Sequence, residues 1–477
     1  MPLSNQVKNQ HLLWRAAFGP MAENVNQIGE VSQKELYHIL LKTSSKEPNS
    51  LNVASNVIDG LVKGMEDLGK MQNLTKEQKQ QFRKQSVDDI KNLNLTWLTE
   101  MINSEAQFRE KMSLFWHGHF ACRVINIYFQ QQLLDVIRQN ALGNFGDLLR
   151  EVSKSPAMLS FLNNQQNKKQ HPNENFAREV MELFTMGRGN YTENDVKEGA
   201  RAYTGWGFNL QGEFVDRPFL HDNGTKTFLG KTGNFDGDDA IDIILEQKAT
   251  AKFITRKIYQ YFVNEDIDNE RIESLAEKFY QSNYNLQKLM NDIFLSNWFF
   301  EEKNIGTRIK SPVELIVGVR RLIPMELEKP ESQLLFQRVL GQVLFYPPNV
   351  AGWPGGKNWI DSSALMFRMR LPQILTNADQ FTLRPKDDDD VMMGMEGADI
   401  KPKPNQLQVN VDWDSVTKVF SNTPKEDLLQ KVNEFVFQTK SSINPNVLKR
   451  YIDNTSREDF IKSTIIELMS TPEYQLC

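Results

Sequence analysis

Histidine is the first residue type in this sequence that could do chemistry, and two of the six histidines lie close together. His117 and His119 flank Gly118 in a run of aromatic residues. On an extended chain both imidazoles would lie on one side and could share a metal ion. On a helix they are separated by about 200°. If the helical period of the flanking residues holds, only one of them faces a common site, or both are hydrogen-bonded core histidines.

A second polar cluster lies on segment 171–184, whose apolar residues recur with a helical period. Glu174, Arg178 and Glu182 share its polar face and fit a row of surface ion pairs. Glu179 instead borders the apolar stripe, so it could point into a cleft as a metal ligand or as a base with a raised pKa.

A third cluster pairs His221 with Asp222 in a turn. This pair could supply a metal ligand, or a general base with the carboxylate that orients it. The acidic run from Asp236 to Asp239 does not fit a calcium loop, because Asp239 stands where that loop requires glycine. Helix capping ahead of the following apolar residues explains the run better.

Tryptophans form the last group. Trp353 and Trp359 lie in a loop from Tyr346 that is rich in glycine and proline, and Trp206 follows a glycine further upstream. An irregular loop of this kind can present aromatic rings to a sugar, or it can use them to plug a core. The three tryptophans, together with Arg178, are therefore candidate substrate-binding residues.

Helices must position these groups, because most long segments repeat their apolar residues every three to four positions. One or two helices are predicted over 108–139, and further helices over 250–263, 270–281, 286–298, 312–323, 332–345, 424–438 and 458–469. Thr192 opens a capping box for another helix, and Gly187 ends the one before it. Residues 206–233 break the pattern and predict a small inserted antiparallel β-hairpin element, with turn signals at Gln211-Gly212 and Asn223-Gly224.

The predicted fold is therefore mainly α, a large multi-helix body with that β-hairpin insert. We expect a single helical domain over 1–385, a mobile acidic and Lys-Pro-rich loop over 386–405, and a C-terminal helical tail over 406–477 that packs on the body. A mobile loop is expected because four consecutive aspartates repel one another and prolines break helices.

Composition excludes several classes of protein. The chain has 477 residues and a net charge of -5, which argues against a globally basic nucleic-acid binder. Two cysteines cannot form a disulfide framework. Without a signal-like start or a long apolar stretch, we expect a cytoplasmic protein with no membrane span. Nucleotide-binding, zincin and serine-hydrolase motifs are missing from the sequence, so no nucleotide cofactor is expected.

Several segments resemble the bacterial family catalogued as domain of unknown function 1800, in the order in which that family has them. They are His11–Gly19, Phe115–Phe120, Asn173–Gly187, Thr204–Trp206, His221-Asp222 with Lys226 and Phe228–Gly230, Lys310–Glu314 and Pro347–Trp359. The resemblance implies no activity, since the family is uncharacterised. Its genes often neighbour those of a phosphatase-like or sulfatase-like family, which implies a partner protein of that kind.

Three functional hypotheses follow from these residues. The first is a metal-assisted hydrolase at the junction of helix and hairpin, with His117, His119 and His221 as ligands of zinc or a similar divalent metal and with Glu179 and Asp222 as catalytic groups. The second is a metal-free enzyme of the glycoside-hydrolase kind, in which Glu174, Glu179 or Glu182 pairs with Asp222. The third is a non-enzymatic helical scaffold that binds a partner protein.

Overall fold

The protein is described here from a computed structural model, which covers residues 3–25, 27–54, 75–209, 211–377, 380–381, 405–439 and 443–477. The fold is mainly helical, as predicted. Its helices, in chain order, are α1 Asn5–Ala16, α2 Gln33–Ser44, α3 Lys76–Asn103, α4 Gln107–His119, α5 Ile127–Asn140, α6 Phe145–Lys154, α7 Pro156–Phe161, α8 Glu174–Glu179, α9 Glu193–Ala202, α10 Gly237–Leu245, α11 Lys248–Phe262, α12 Asn269–Gln281, α13 Leu286–Phe294, α14 Pro312–Leu322, α15 Ser332–Leu340, α16 Ser362–Asn377, α17 Trp413–Lys418, α18 Leu428–Val436, α19 Pro445–Leu448 and α20 Arg457–Met469.

The predicted helix starts are found where side chains can satisfy the first free backbone N–H groups. Thr192 accepts a hydrogen bond from the backbone N–H of Asp195 and completes a capping box at the start of α9. Asp236 does the same for α10 through Asp239, so the acidic run is a helix cap. Gly187 adopts a positive φ of 77° after the preceding helical segment.

Short antiparallel strand pairs interrupt the helices. They are β1 Trp206–Phe208 with β2 Phe214–Asp216, β3 Lys226–Phe228 with β4 Lys231–Gly233, β5 Met325–Leu327 with β8 Val409–Val411, and β6 Gln380–Phe381 with β7 Asn405–Gln406. The insert within 206–233 therefore holds two hairpins. The second turns at Leu229-Gly230, where both residues have positive φ. Asn223-Gly224, predicted as a hairpin turn, instead lies between the two hairpins.

Segment 405–477 contacts the rest of the chain through both strands and helices. Strand β8 pairs with β5 in the register Glu326 to Asn410. Helices α18 and α20 share an apolar cluster with α14, α15 and α16, in which Val432, Ile465 and Leu315 are fully buried. The loop predicted over 386–405 lies outside the described residues, except for Asn405 in β7.

Helix α4 lies at the centre of the fold, and almost all of its residues are buried. Phe108, Met112 and Trp116 join the large apolar cluster formed with α5 to α13, whereas Leu114 joins a separate cluster with α3. Among the described residues, no helix is both long enough and apolar enough to cross a membrane.

A buried ion cluster ties α4 to α14. Glu314, in the first turn of α14, accepts hydrogen bonds from the ammonium of Lys111 on α4 and from the guanidinium of Arg308. It also accepts the backbone N–H of Ser311 at 2.8 Å, which closes the capping box of α14. Burial alone would raise the pKa of Glu314, but Arg308 and Lys111 outweigh it and hold the pKa far below its usual range.

We expect the substitution Glu314→Gln to lower the free energy of unfolding by about 3–5 kcal/mol, because it leaves two buried cations without a carboxylate. Denaturant titration of the purified variant measures this loss. Glu326→Gln, which changes an exposed glutamate on β5, is the matched control and should change stability by less than about 0.5 kcal/mol. An E314Q protein as stable as the control would contradict the importance of the cluster.

Candidate functional site

One large cleft, with a volume of about 480 Å³, opens between α4, α11 and the loop 351–359. Its size is that of a small-molecule site. Residues from four parts of the chain line it: Leu114, Phe115, Gly118 and His119 from α4; Lys257, Gln260, Tyr261 and Glu265 from α11 and its C-terminal extension; Arg308 and Ser311 ahead of α14; and Gln342, Ala351, Trp353, Gly355, Gly356 and Trp359.

The helical period places the α4 and α11 residues on the cleft side. Phe115 and His119 are one turn apart on α4, and Lys257 and Tyr261 are one turn apart on α11. Burial raises the pKa of Tyr261 well above its usual range, so its hydroxyl stays protonated.

The loop 351–359, which carries Trp353 and Trp359, forms one wall of the cleft and approaches α4 very closely. Gly352 has a φ of 82°, and a Cβ atom there would lie 2.3 Å from the main-chain oxygen of Gly118. Only glycine permits both the conformation and the approach. A Cβ atom on Gly356 would likewise lie 2.5 Å from a carboxylate oxygen of Glu265. Two glycines therefore bring the loop against α4 and against the segment that follows α11.

His119 is held in one tautomer. Its Nε2 lies 3.0 Å from the main-chain oxygen of Phe184, which can only accept, so Nε2 carries the proton and Nδ1 does not. Nδ1 is buried and has no hydrogen-bond partner among the residues that the structure describes. Phe184 belongs to a π-helical segment, Val180–Thr185, the kind of local distortion that is often found at functional sites. Burial, reinforced by the charge of Lys257, lowers the pKa of His119 well below 6.5, and the ring stays neutral.

His117 points elsewhere, because Gly118 does not break α4. The Nε2 of His117 accepts the backbone N–H of Phe345 at 3.1 Å, and its ring packs against Trp97 and Trp353. Burial lowers its pKa to about 3. His117 is thus a neutral core histidine, whereas His119 lines the cleft.

Lys257 packs on an aromatic ring within its own helix. Its ammonium nitrogen lies 5.1 Å from the ring centroid of Phe253. No hydrogen bond or ion pair to Lys257 is found within the described part of the chain. Partial burial lowers its pKa.

His221 and Asp222 lie in the hairpin region, outside the residues that line the cleft. The Nδ1 of His221 lies 2.9 Å from the main-chain oxygen of Thr204. Asp222 binds the guanidinium of Arg201 and accepts the backbone N–H of Gly224, and the Arg201 contact holds its pKa below the usual range. Asp222 is therefore occupied by structural contacts.

The glutamates of α8 also lie apart from the cleft. Arg178 bridges Glu174 and Glu193, with N–O distances of 3.3 and 2.8 Å, so of the predicted row only the pair with Glu174 is found, and Glu182 pairs with Arg188 instead. Glu182 binds Tyr191 at 2.6 Å. Glu179 is half-buried, and its pKa is raised by burial and then by the neighbouring Glu182. The structure does not place these carboxylates with those that line the cleft.

The three candidate tryptophans are likewise divided between the core and the cleft. Trp206 is buried against Tyr203 and Phe214, with ring centroids 5.2 Å apart in both pairs, and is a core residue. Trp353 and Trp359 line the cleft. Trp353 is half-buried and so presents part of its ring, whereas Trp359 is nearly all covered.

The described ranges contain no group of three or more His, Cys, Asp and Glu side chains that could hold a metal ion. The predicted ligands are divided between a core position, the cleft and the hairpin region. The hypothesis of a shared site for zinc or a similar metal therefore has no support from the structure.

The sequence patterns gave no prediction of a functional role for Lys257, Glu265 or Arg308. Lys257 follows the apolar residue Ile254 by three positions and precedes Ile258, so it borders the apolar stripe of a predicted helix. Glu179 was predicted as a site residue because it borders an apolar stripe in this way, and the same reasoning could have predicted Lys257. Arg308 carries no local signal, because its place in the cleft depends on the long-range contact between Glu314 and Lys111.

Comparison with known families identifies the family of this chain. A family model described as a protein of unknown function, DUF1800, matches residues 11–476. The protein belongs to this family. The match includes the C-terminal segment after residue 405, which lies beyond the segments that carry the sequence resemblance. Neither a curated protein nor a solved structure matches the chain.

The burial of His117 gives a pH prediction. The pKa of this imidazole is about 6.5 in the unfolded chain and falls to about 3 on folding. Its contribution to the free energy of unfolding is therefore complete above about pH 6.5 and is lost as the pH falls below that value, because only the unfolded chain then binds the proton. Between about pH 7 and pH 5 the loss from this one group is about 2 kcal/mol. In denaturant titrations, His117→Gln should therefore lose about 2 kcal/mol less than the wild type over this range.

Exposed His38 on α2 provides the control, and His38→Gln should follow the wild-type pH dependence. If H117Q and the wild type lost the same stability, the ring of His117 would not be the neutral core group described here.

Proposed function

We propose that this protein binds an anionic, ring-containing organic molecule in the cleft. The ammonium of Lys257 and the guanidinium of Arg308 would meet its negative charge, and Trp353 would pack against its ring. The observation that carries the proposal is that Lys257 lines the cleft and forms no ion pair with a carboxylate of the described residues.

The wall behind the cleft adds further positive charge. Arg308 shares Glu314 with Lys111, so two cations face one buried carboxylate. Arg15 and Lys310 are also buried nearby and donate to main-chain oxygens, including that of Asn304, 3.0 Å from Arg15. Burial lowers the pKa of Lys310 to about 7, so Lys310 carries only part of a charge at neutral pH. Low-dielectric walls focus such a field into a cleft, which favours an anion there.

The aromatic residues of the cleft favour a ligand with a ring. Phe115, Tyr261 and Trp353 supply apolar surface, while Gln260 and Gln342 supply amides that can orient polar groups. This combination of aromatic walls and a few polar groups is typical of sites for small organic molecules.

The other hypotheses have less support. A glycoside hydrolase needs two carboxylates across an open groove. Glu265 is the one carboxylate lining the described cleft, and Glu314 lies behind it, paired with cations. A pure scaffold predicts closed polar networks without a pocket, which Lys257 and the cleft do not match.

Isothermal titration with phenyllactate, an aromatic anion, and with its neutral amide tests the proposal. We expect the anion to bind at least about tenfold more tightly than the amide, because one favourable charge contact in a partly buried site is worth about 1.4 kcal/mol. Lys257→Met should remove this preference, since methionine keeps the apolar stem and loses the charge.

Lys252 on the same helix is the matched control, because it is exposed and paired with Glu273. Lys252→Met should bind phenyllactate like the wild type. Equal binding of anion and amide by the wild type, or equal binding of phenyllactate by both lysine variants and the wild type, would refute the proposal.

A further inference from the structure

The environment of Lys257 suits more than charge recognition. We propose that Lys257 is a nucleophile that forms an imine with an aldehyde or ketone group of the anionic ligand. This inference rests on the anion-binding cleft proposed above and names the class of ligand that the cleft takes: a carbonyl compound that also carries an acid group.

The first argument is the position of the amine. Lys257 lines the cleft on α11 and borders the buried stripe of Ile254, Ile258 and Phe262 that packs this helix into the core. A nucleophile on a packed helix is held in place better than one on a loop. The amine can reach a ligand in the cleft, whereas Lys111 and Lys310 are fully buried and bound to main-chain or carboxylate oxygens.

The second argument is protonation. A lysine attacks a carbonyl carbon only as the neutral amine, and enzymes obtain that form by desolvating the lysine or by placing it near another cation. Lys257 has the first feature, because it is partly buried in the wall of the cleft and burial lowers its pKa. No carboxylate in the described residues forms an ion pair with it.

The third argument is the neighbouring imidazole. His119 lines the same cleft, and its pKa is lowered by burial and then by the charge of Lys257. The hydrogen bond to Phe184 keeps the proton of His119 on Nε2. His119 is thus a neutral neighbour that does not stabilise the ammonium form of Lys257 as a carboxylate would.

The step itself is balanced without a cofactor. The nitrogen of the neutral amine attacks the carbonyl carbon, a C–N bond forms, and the electron pair of the C=O bond moves to oxygen. Proton transfer from nitrogen to oxygen gives a carbinolamine. Loss of water, made from that oxygen and two protons that were on the amine nitrogen, leaves the C=N bond of the imine. Nothing is oxidised or reduced.

Reductive trapping tests the inference. The full-length protein is incubated at neutral pH with phenylpyruvate and sodium cyanoborohydride, which reduces an imine to a stable secondary amine, and the modified lysines are identified by peptide mass spectrometry. We expect Lys257 to be modified faster than Lys252, because Lys257 lies in the wall of the cleft that would bind phenylpyruvate, whereas Lys252 is exposed and paired with Glu273. Phenyllactate, which has no ketone, should protect Lys257 and leave Lys252 unaffected.

The outcomes separate the two proposals. Modification of Lys257 at the rate of Lys252, or no modification, would overturn the imine while leaving anion binding intact if phenyllactate still binds. Failure of phenyllactate to bind would refute the anion-binding cleft itself. Lys257→Arg keeps the positive charge but cannot form the imine under these conditions, so it should still bind phenyllactate and lose the trapped product. A trapped product in K257R at the wild-type level would show that another lysine reacts.

Discussion

The buried carboxylate of Glu314 is the interaction on which the cleft depends. A buried charge must be paired and hydrogen-bonded, or its desolvation costs several kcal/mol. Glu314 meets this requirement by binding Lys111, Arg308 and the backbone N–H of Ser311. Lys111 in turn donates to the main-chain oxygen of Trp14 at 3.1 Å. One carboxylate therefore connects α1, α4, α14 and the segment ahead of α14.

The same connections set the electrostatic character of the cleft. Arg308 and Ser311 line it because Glu314 holds their segment against α4. Since the carboxylate is shared by two cations, the wall retains positive charge, and Lys257 adds a charge from the opposite helix. Helix α4 then separates two environments: His119 faces the cleft, while His117 is packed in the core against Trp97. The requirement for pairing in the core thus places Arg308 in the wall of the cleft.

Much of the fold could be predicted from the sequence, because helices are governed by local rules. Apolar periodicity predicted α4, α5, α11 to α15, α18 and α20, and Thr192 and Asp236 marked helix starts through their side-chain oxygens. The period also implied that the two imidazoles of α4 diverge. The hairpin turn was less predictable, because leucine at position 229 adopts a positive φ that its type disfavours.

The candidate site was predictable only in part. His119, Trp353 and Trp359 were selected and do line one cleft. Arg308 and Gln342 carry no local pattern, since they reach the cleft through packing between segments that are far apart in the sequence. Glu179 and Asp222 have the chemistry of catalytic carboxylates, but one borders a different surface and the other is bound by Arg201. Residue type alone could not distinguish these positions from those in the cleft.

A crystal structure of the protein with phenyllactate bound would test the central claim most directly. The account predicts the carboxylate within hydrogen-bonding distance, about 2.7–3.2 Å, of the Lys257 ammonium or the Arg308 guanidinium, with the phenyl ring against Trp353. Phenyllactate bound elsewhere on the protein, or bound in the cleft with its carboxylate directed away from both cations, would contradict it.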